Sequence, residues 1–384
     1  MGPDFFGRQL GGKRPRLTLP CPSPGYPLKV QIGLSWPWPT EATVKDPKKS
    51  QHRREARMKR LAALPIALLL IAPSAISLAH AEVLSLKWDN DLLAGEDGHY
   101  TNGLEFAWGF IADEQHWTQR FSRAIPLWSG DASAVSYRFG QQMYTPEKID
   151  VRALQPDDRP YAGYLYAGLS LYKRHQSGAV RVAESLGFDV GIVGPAAGAK
   201  PIQRGVHEVT GSDRPEGWGN QLGNEPILSL TYQRAWWLHH GLGDGLAFEY
   251  GPNLGFAVGN LYDYLSLGLG MRIGNRLDGL FATPGNAPYT SFEPLFTKGP
   301  GLGWYLFAGA NGRFMAHNLL LDGNTFESSH SVDRRSWVND LTLGGALTFD
   351  SWNLALSLTN RSREFEGQDG DDTLGNLTLS TWLR

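Results

Sequence analysis

Large apolar residues alternate with small or polar ones along many short segments of this chain, and that alternation limits its fold more than any other feature. In 352–359, the even-numbered residues from Trp352 to Leu358 are large and apolar, whereas the odd-numbered ones are asparagine, alanine, serine and threonine. A period of two is the side-chain period of a β-strand with one apolar face. Twelve segments after residue 81 fit this pattern, and they lie near 82–91, 101–112, 133–144, 161–174, 178–191, 225–239, 243–256, 261–274, 302–315, 336–349, 352–365 and 373–384.

The length and number of these segments favour a membrane barrel. Most are longer than the roughly five or six residues of a soluble strand and match the roughly 9–11 residues of a tilted membrane strand. An even number of alternating strands is typical of outer-membrane barrels, although the strands of a soluble β-sandwich alternate too. Aromatic residues near segment ends favour the barrel, because membrane barrels carry aromatic girdles: Trp88, Trp108, Tyr144, Trp236, Trp237, Trp304, Trp337 and Trp382.

We therefore predict an all-β fold, a transmembrane antiparallel β-barrel of twelve strands. No run of about 18 apolar residues follows residue 81, so no helical span is expected there. The terminal Arg384 is a departure, since such barrels are expected to end on an aromatic residue.

A segment of a different kind precedes the alternating part. From Met58 the chain has a basic start at 59–60, an apolar run over 61–71 and the pattern Ala-His-Ala at 79–81. These are the three parts of a secretory signal peptide, whereas a membrane anchor would need about 20 apolar residues. We predict three regions: a non-native upstream extension over 1–57, from a translation start placed too early, a signal peptide over 58–81, and a barrel domain over 82–384.

The composition after residue 81 excludes several classes of protein. This part has no cysteine, 23 basic residues and 34 acidic residues, so its formal net charge is −11. A nucleic-acid-binding protein would need a basic face, and thiolate chemistry would need cysteine. We therefore expect no nucleic-acid partner and no cysteine nucleophile.

The order of the segments also predicts a topology. If the amino end lies in the periplasm, the connections after the odd-numbered strands face outward, and these are 92–100, 145–160, 192–224, 257–260, 316–335 and 366–372. The longest of them, 192–224, contains a predicted short helix over 201–211.

Polar residues gather at the outward strand ends and in the longest outward connection. Their types suit hydrolysis: an imidazole can take a proton from water near neutral pH, and oxygen ligands from Asn, Asp and Thr suit Ca²⁺. Residue type alone also allows a plain turn at Asp89-Asn90-Asp91 and a solvated loop histidine at His207. The glycine-flanked serine of α/β-hydrolases is absent, which favours direct attack by water over an acyl-enzyme.

Six motifs, in this order and spacing, resemble the outer-membrane lipid A 3'-O-deacylase family: WDND at 88–91, HYTNG at 99–103, DDRPYAG at 157–163, GIVGP at 191–195, QRGVH at 203–207 and GWGNQLGNEP at 217–226. The resemblance spans essentially all of 82–384 and includes the strand number. It implies a monomeric, Ca²⁺-dependent esterase of the bacterial outer membrane. Its substrate would be lipid A of lipopolysaccharide in the outer leaflet, from which it removes the 3'-linked acyl chain.

The resemblance also implies roles for particular residues. Asn90 and Asp91 match the family's Asn-Asp pair and Thr101 its Thr or Ser, and these three are the expected Ca²⁺ ligands. Gln203 and His207 match the family's Gln-x-x-x-His, with His207 as the general base.

Two positions match the family less well. Asp213 stands where the family has a glutamate six positions after the histidine, and its shorter side chain leaves its role open. The basic residue that meets the sugar headgroup has no secure match, and Lys148 and Arg152 are candidates.

Other functions remain compatible with the residues themselves. The chain could be an esterase or phospholipase acting on a different outer-leaflet lipid, or a non-enzymatic barrel such as a porin or an adhesin. A porin should have a wide polar lumen and usually more strands. An adhesin should concentrate its length in outward loops, yet only one is long.

Overall fold

The computed structural model describes residues 82–90, 99–126, 128, 130–277, 296 and 298–383. The predicted upstream extension, the predicted signal peptide and Asp91 lie outside these residues. Twelve strands form the fold: β1 Glu82–Asn90, β2 Tyr100–Phe110, β3 Ala134–Tyr144, β4 Ala162–Ser177, β5 Val180–Val193, β6 Glu225–Gly243, β7 Leu246–Gly259, β8 Tyr262–Gly274, β9 Gly299–Asn318, β10 Trp337–Asp350, β11 Trp352–Arg361 and β12 Asp372–Leu383.

Each strand pairs antiparallel with its neighbours in sequence, and β1 pairs with β12 to close the barrel. Closure satisfies the backbone hydrogen bonds of every strand edge, which a hydrocarbon environment requires. The all-β, twelve-stranded barrel predicted from the sequence is therefore confirmed.

The outer face of the barrel carries the apolar half of the alternation. On β8, Leu267 and Leu269 are exposed by 63% and 66%, whereas Ser266, which precedes Leu267, is 8% exposed and Arg272 is buried. A continuous band of exposed leucines on the outer face is typical of the lipid-facing surface of a membrane barrel.

Ion pairs join neighbouring strands on the inner face of the barrel. Arg138 on β3 donates to Glu105 on β2 at 3.0 Å, and all of their charged groups are buried. On the opposite side, Asp340 lies between Arg313 and Arg361, which both donate to its carboxylate. Buried charges need such partners, since an unpaired charge would be strongly destabilising. In the part of the barrel that the structure describes, paired side chains therefore occupy the lumen, and this argues against a wide channel.

In the connections, as far as the structure describes them, lie three α-helices and two short 3₁₀ turns. They are α1 Trp117–Ala124, α2 Ala199–Thr210, α3 Leu319–Asp322, and the 3₁₀ turns Pro195–Ala197 and Gly217–Asn220. Helix α2 confirms the short helix predicted in the longest connection. It ends at Gly211, whose φ of 69° is left-handed and whose N–H donates to the carbonyl of His207. Within the described ranges, no helix is long and apolar enough to cross a membrane.

The connections after the odd-numbered strands all emerge at one end of the barrel, here called the long-loop rim. It contains 145–161, 194–224, 319–336 and 362–371, whereas the opposite end has short turns at 178–179, 244–245 and 351 together with the longer connections 111–133 and 275–298. The polar motifs of the sequence therefore meet at the long-loop rim.

Candidate active site

The end of β1 faces the outside of the barrel. Asn102 on β2 has the same parity as Phe106, which is exposed on the outer face. Its Oδ1 accepts hydrogen bonds from Trp88 Nε1 at 2.8 Å and from Asn90 Nδ2 at 3.3 Å. Asn90 Nδ2 also donates to the main-chain oxygen of Thr101 at 2.8 Å. Asn90 therefore lies on the outer face with Trp88, which is where strand parity predicts it.

A β-bulge at the start of β2 sets the position of Thr101. The register between β2 and β3 shifts by one residue between Tyr100 and Asn102, and such a shift redirects the extra side chain. Thr101 Oγ1 lies 2.7 Å from Thr145 Oγ1, and both residues are buried. The bulge thus groups two hydroxyls beside the amide of Asn90.

The donor set on the wall consists of hard oxygen atoms. Asn90 contributes an amide, and Thr101 contributes a hydroxyl and a carbonyl. Such ligands suit Ca²⁺ better than zinc or copper, which prefer nitrogen and sulfur. Asp91, the predicted carboxylate ligand, lies outside the described residues. Among those that are described, no group of three His, Cys, Asp or Glu could hold a metal ion.

Helix α2 packs on the outer wall over β3 and β4. Gly163 of β4 faces Ala199 so closely that an added Cβ would lie 2.5 Å from the Ala199 Cβ. Gln141, on the outer face of β3, donates to the main-chain oxygen of Ala197 at 2.5 Å. Only glycine at 163 permits this approach, so α2 lies directly against the outer wall of the barrel, outside the lumen.

Gln203 lies on the face of α2 that is turned toward the wall. Its Oε1 accepts a hydrogen bond from Trp218 Nε1 at 2.6 Å. Trp218 in turn packs with Met143 of β3, and Met143 is the register partner of Asn102. This chain of contacts joins the helix to the part of the wall that holds Asn90.

His207 lies one turn after Gln203, and its imidazole is half-buried. Its Nδ1 is 2.6 Å from the main-chain oxygen of Asp213. The carboxylate side of Asp213 is exposed, so the main chain at position 213, and not its side chain, contacts the imidazole. A carbonyl oxygen only accepts, so Nδ1 carries the hydrogen and Nε2 has the lone pair.

A second histidine, His99, was not selected from the sequence. Its Nδ1 lies 3.0 Å from Asp372 at the start of β12, and its Nε2 lies 3.3 Å from Asp158 in the 145–161 loop. Burial alone would lower the pKa of His99, but hydrogen bonds to the two carboxylates outweigh it and raise that pKa to about 9. The charged imidazole thus joins three segments of the long-loop rim.

The two candidate headgroup residues lie in the 145–161 loop. Lys148 and Arg152 both have exposed side chains. Asn220 donates to the main-chain oxygen of Arg152 at 3.0 Å, which ties this loop to the 3₁₀ turn that contains Trp218. Trp218 lies in the GWGNQLGNEP motif, but no pattern predicted that Thr145 and Trp218 would bond Thr101 and Gln203.

The fold and the site define a class of protein. A closed barrel with an apolar outer band is an outer membrane β-barrel, and this one has oxygen-bearing side chains and an imidazole on its outer wall. The family model described as "Outer membrane protein LpxR" matches residues 63–383, and the chain belongs to that family.

The chain is similar to several solved structures. LpxR from Salmonella typhimurium aligns with a TM-score of 0.65 at 22% identity, covering 78% of this chain and 100% of that chain. The translocator domain of the autotransporter NalP from Neisseria meningitidis aligns with a TM-score of 0.36 at 12% identity, covering 89% of this chain and 99% of its own. The beta domain of the Bordetella autotransporter Brka aligns with a TM-score of 0.41 at 10% identity, covering 79% of this chain and 100% of that chain. Comparison with curated protein sequences gives no significant match.

Proposed function

We propose that this protein is a lipid A 3'-O-deacylase, an ester hydrolase of the outer leaflet. The observation that carries the proposal is the packing of α2, the helix that contains His207, on the outer wall of the barrel and not in the lumen. Membership of the LpxR family supports lipid A as the substrate.

A site on the outer wall suits a substrate that is anchored in the membrane by several acyl chains. Moving one chain from the membrane into water costs about 0.8 kcal/mol for each CH₂ group. A site at the rim of the wall reaches an ester just below the headgroups and leaves the chains in the membrane. A lumenal site would require their extraction.

His207 is the proposed general base. Its Nδ1 donates to the main-chain oxygen of Asp213, so its Nε2 is free to remove a proton from a water molecule. The water oxygen then bonds to the ester carbonyl carbon, and negative charge moves to the carbonyl oxygen. When the bond between the carbonyl carbon and the sugar oxygen breaks, the sugar oxygen takes the proton from the imidazolium of His207. The products are a fatty acid and lipid A with a free 3'-hydroxyl.

Asn90, Asp91 and Thr101 are the residues that would hold a Ca²⁺ ion, because their donors are hard oxygen atoms. A bound Ca²⁺ would polarise the ester carbonyl and stabilise the charge on its oxygen. Lys148 and Arg152 are the basic residues proposed to meet the sugar headgroup.

The test is mass spectrometry of lipid A from a lipopolysaccharide-bearing host that produces the protein. We expect loss of the 3'-linked acyl chain, and EDTA or Asp91→Ala should prevent it. Asp371→Ala, in an exposed part of the same rim, is the matched control. Unchanged lipid A with release of another fatty acid would indicate a different lipid ester, and no release at all would indicate a non-enzymatic barrel.

A further inference from the structure

The side-chain amide nitrogen of Gln203 is buried and has no hydrogen-bond partner in the part of the chain that the structure describes. Its side chain is 3% exposed, and Trp218 Nε1 donates to its Oε1 at 2.6 Å. Nε2, at the other end of the same amide, has no hydrogen-bond partner among the described residues. A buried N–H left unpaired costs free energy, so such groups in folded proteins are few and call for an explanation.

The indole of Trp218 determines the orientation of the Gln203 side-chain amide. An indole N–H only donates, so it can bond the amide oxygen and would repel the amide NH₂. Trp218 cannot turn away, because it is 1% exposed and its ring lies 5.0 Å from the ring of Tyr161. Met143 and Ala199 complete the packing around it. The two N–H groups of Gln203 are therefore held away from Trp218.

These donors lie on the same face of α2 as the proposed base. Gln203 and His207 are four residues apart, and residues with this spacing are neighbours on one side of a helix. The same side of α2 contains Ala199, which packs on Gly163 of the wall. Gln203 and His207 therefore lie on the same side of α2 as its contact with the wall.

We infer that Trp218 is a positioning residue, which holds the Gln203 amide so that its N–H groups donate to the carbonyl oxygen of the ester under attack. This inference rests on the proposed function. The carbonyl oxygen fits because it is an acceptor that gains negative charge in the transition state. Donation to the attacking water would instead weaken it as a nucleophile. The effect belongs to the chemical step, so it should change kcat more than KM.

The test is a double-mutant cycle on the full barrel in detergent micelles with Ca²⁺ and lipid A. Trp218→Phe removes the indole N–H and keeps most of the packing on Tyr161, and Gln203→Met removes the amide. Because the loss of one oxyanion donor costs about 10²–10³-fold in kcat, we expect about that loss for Gln203→Met and at least about tenfold for Trp218→Phe. KM should change less than about twofold. Trp337→Phe, at a tryptophan 64% exposed on the outer face, should change neither.

The cycle separates positioning from simple packing. If Trp218 acts through Gln203, Trp218→Phe should cause no further loss in a Gln203→Met background. Losses that multiply, or a change in KM alone, would overturn the inference. If Trp218→Phe does not fold, as judged by its electrophoretic mobility before heating, Gln203→Glu replaces it. That variant keeps an oxygen acceptor for Trp218 but lacks the N–H donors, and wild-type kcat in it would also overturn the inference.

Failure of the proposed function has a different signature. A wild-type protein that releases no 3'-linked chain would refute the proposed function, and the inference would be refuted with it. An active wild type whose Trp218→Phe variant keeps full kcat would refute the inference alone.

Discussion

The charged imidazole of His99 should make the stability of the barrel depend on pH above neutrality. Its pKa rises from the ordinary 6.5 to about 9, because Asp158 and Asp372 outweigh the effect of burial. At about 1.4 kcal/mol for each pH unit, this difference is worth about 3 kcal/mol of unfolding free energy. The folded state holds the proton more tightly than the unfolded state, so the full contribution is present below pH 6.5 and is lost as pH rises through about 9.

The assay is urea unfolding of the purified barrel in lipid vesicles with EDTA, at several pH values from 6 to 10. Wild type should exceed His99→Gln by about 3 kcal/mol at pH 6, and the difference should shrink toward pH 10. His175→Gln, at an exposed histidine on β4, is the control and should show no such trend. A difference between wild type and His99→Gln that stays constant over this range would refute the ion-pair assignment.

Three further predictions concern the proposed site on the outer wall. His207→Asn should lower kcat by about 10²–10⁴-fold while Ca²⁺ binding, measured by calorimetry, is kept, and retention of more than about a tenth of the rate would refute the base assignment. Asp213→Ala should keep activity within about threefold, because the main-chain oxygen contacts His207; a loss of about 10²-fold would give the carboxylate a role of its own. Gly163→Val should lower kcat/KM by at least about tenfold without unfolding the barrel, because its Cβ would meet Ala199 and displace α2. Wild-type kcat/KM in that variant would show that the position of α2 is unimportant.

The sequence predicted the barrel well because the same physical requirement acts on every strand. Lipid on one side and a packed lumen on the other impose alternation all along the wall, so each segment carried the signal independently. The position of Asn90 at the end of β1 was predictable from the same rule, because Asn90 has the same parity as Trp88 and lies on the same face of the barrel. The helix in the longest connection was predictable too, because Gly211 marks its end.

Contacts between distant loops could not be predicted in this way. His99 meets Asp372, which is 273 residues away, only because β12 pairs with β1 when the barrel closes. The contact of Trp218 with Gln203 depends on how the longest connection folds back on the wall. At position 213 the pattern pointed to a carboxylate, whereas the structure places the main-chain carbonyl against His207, and a residue pattern does not distinguish the two.

The packing of α2 on the outer wall determines how the enzyme meets its substrate. The site proposed above, between α2 and the outer wall, would be filled by diffusion in two dimensions within the leaflet, so its occupancy would follow the mole fraction of lipid A at the surface and not its concentration in the bulk solution. Adding detergent at constant total lipid A should therefore slow the reaction, although no enzyme or substrate has been removed. In a membrane, a rise in the proportion of lipid A among its neighbours would accelerate the enzyme without any regulatory site.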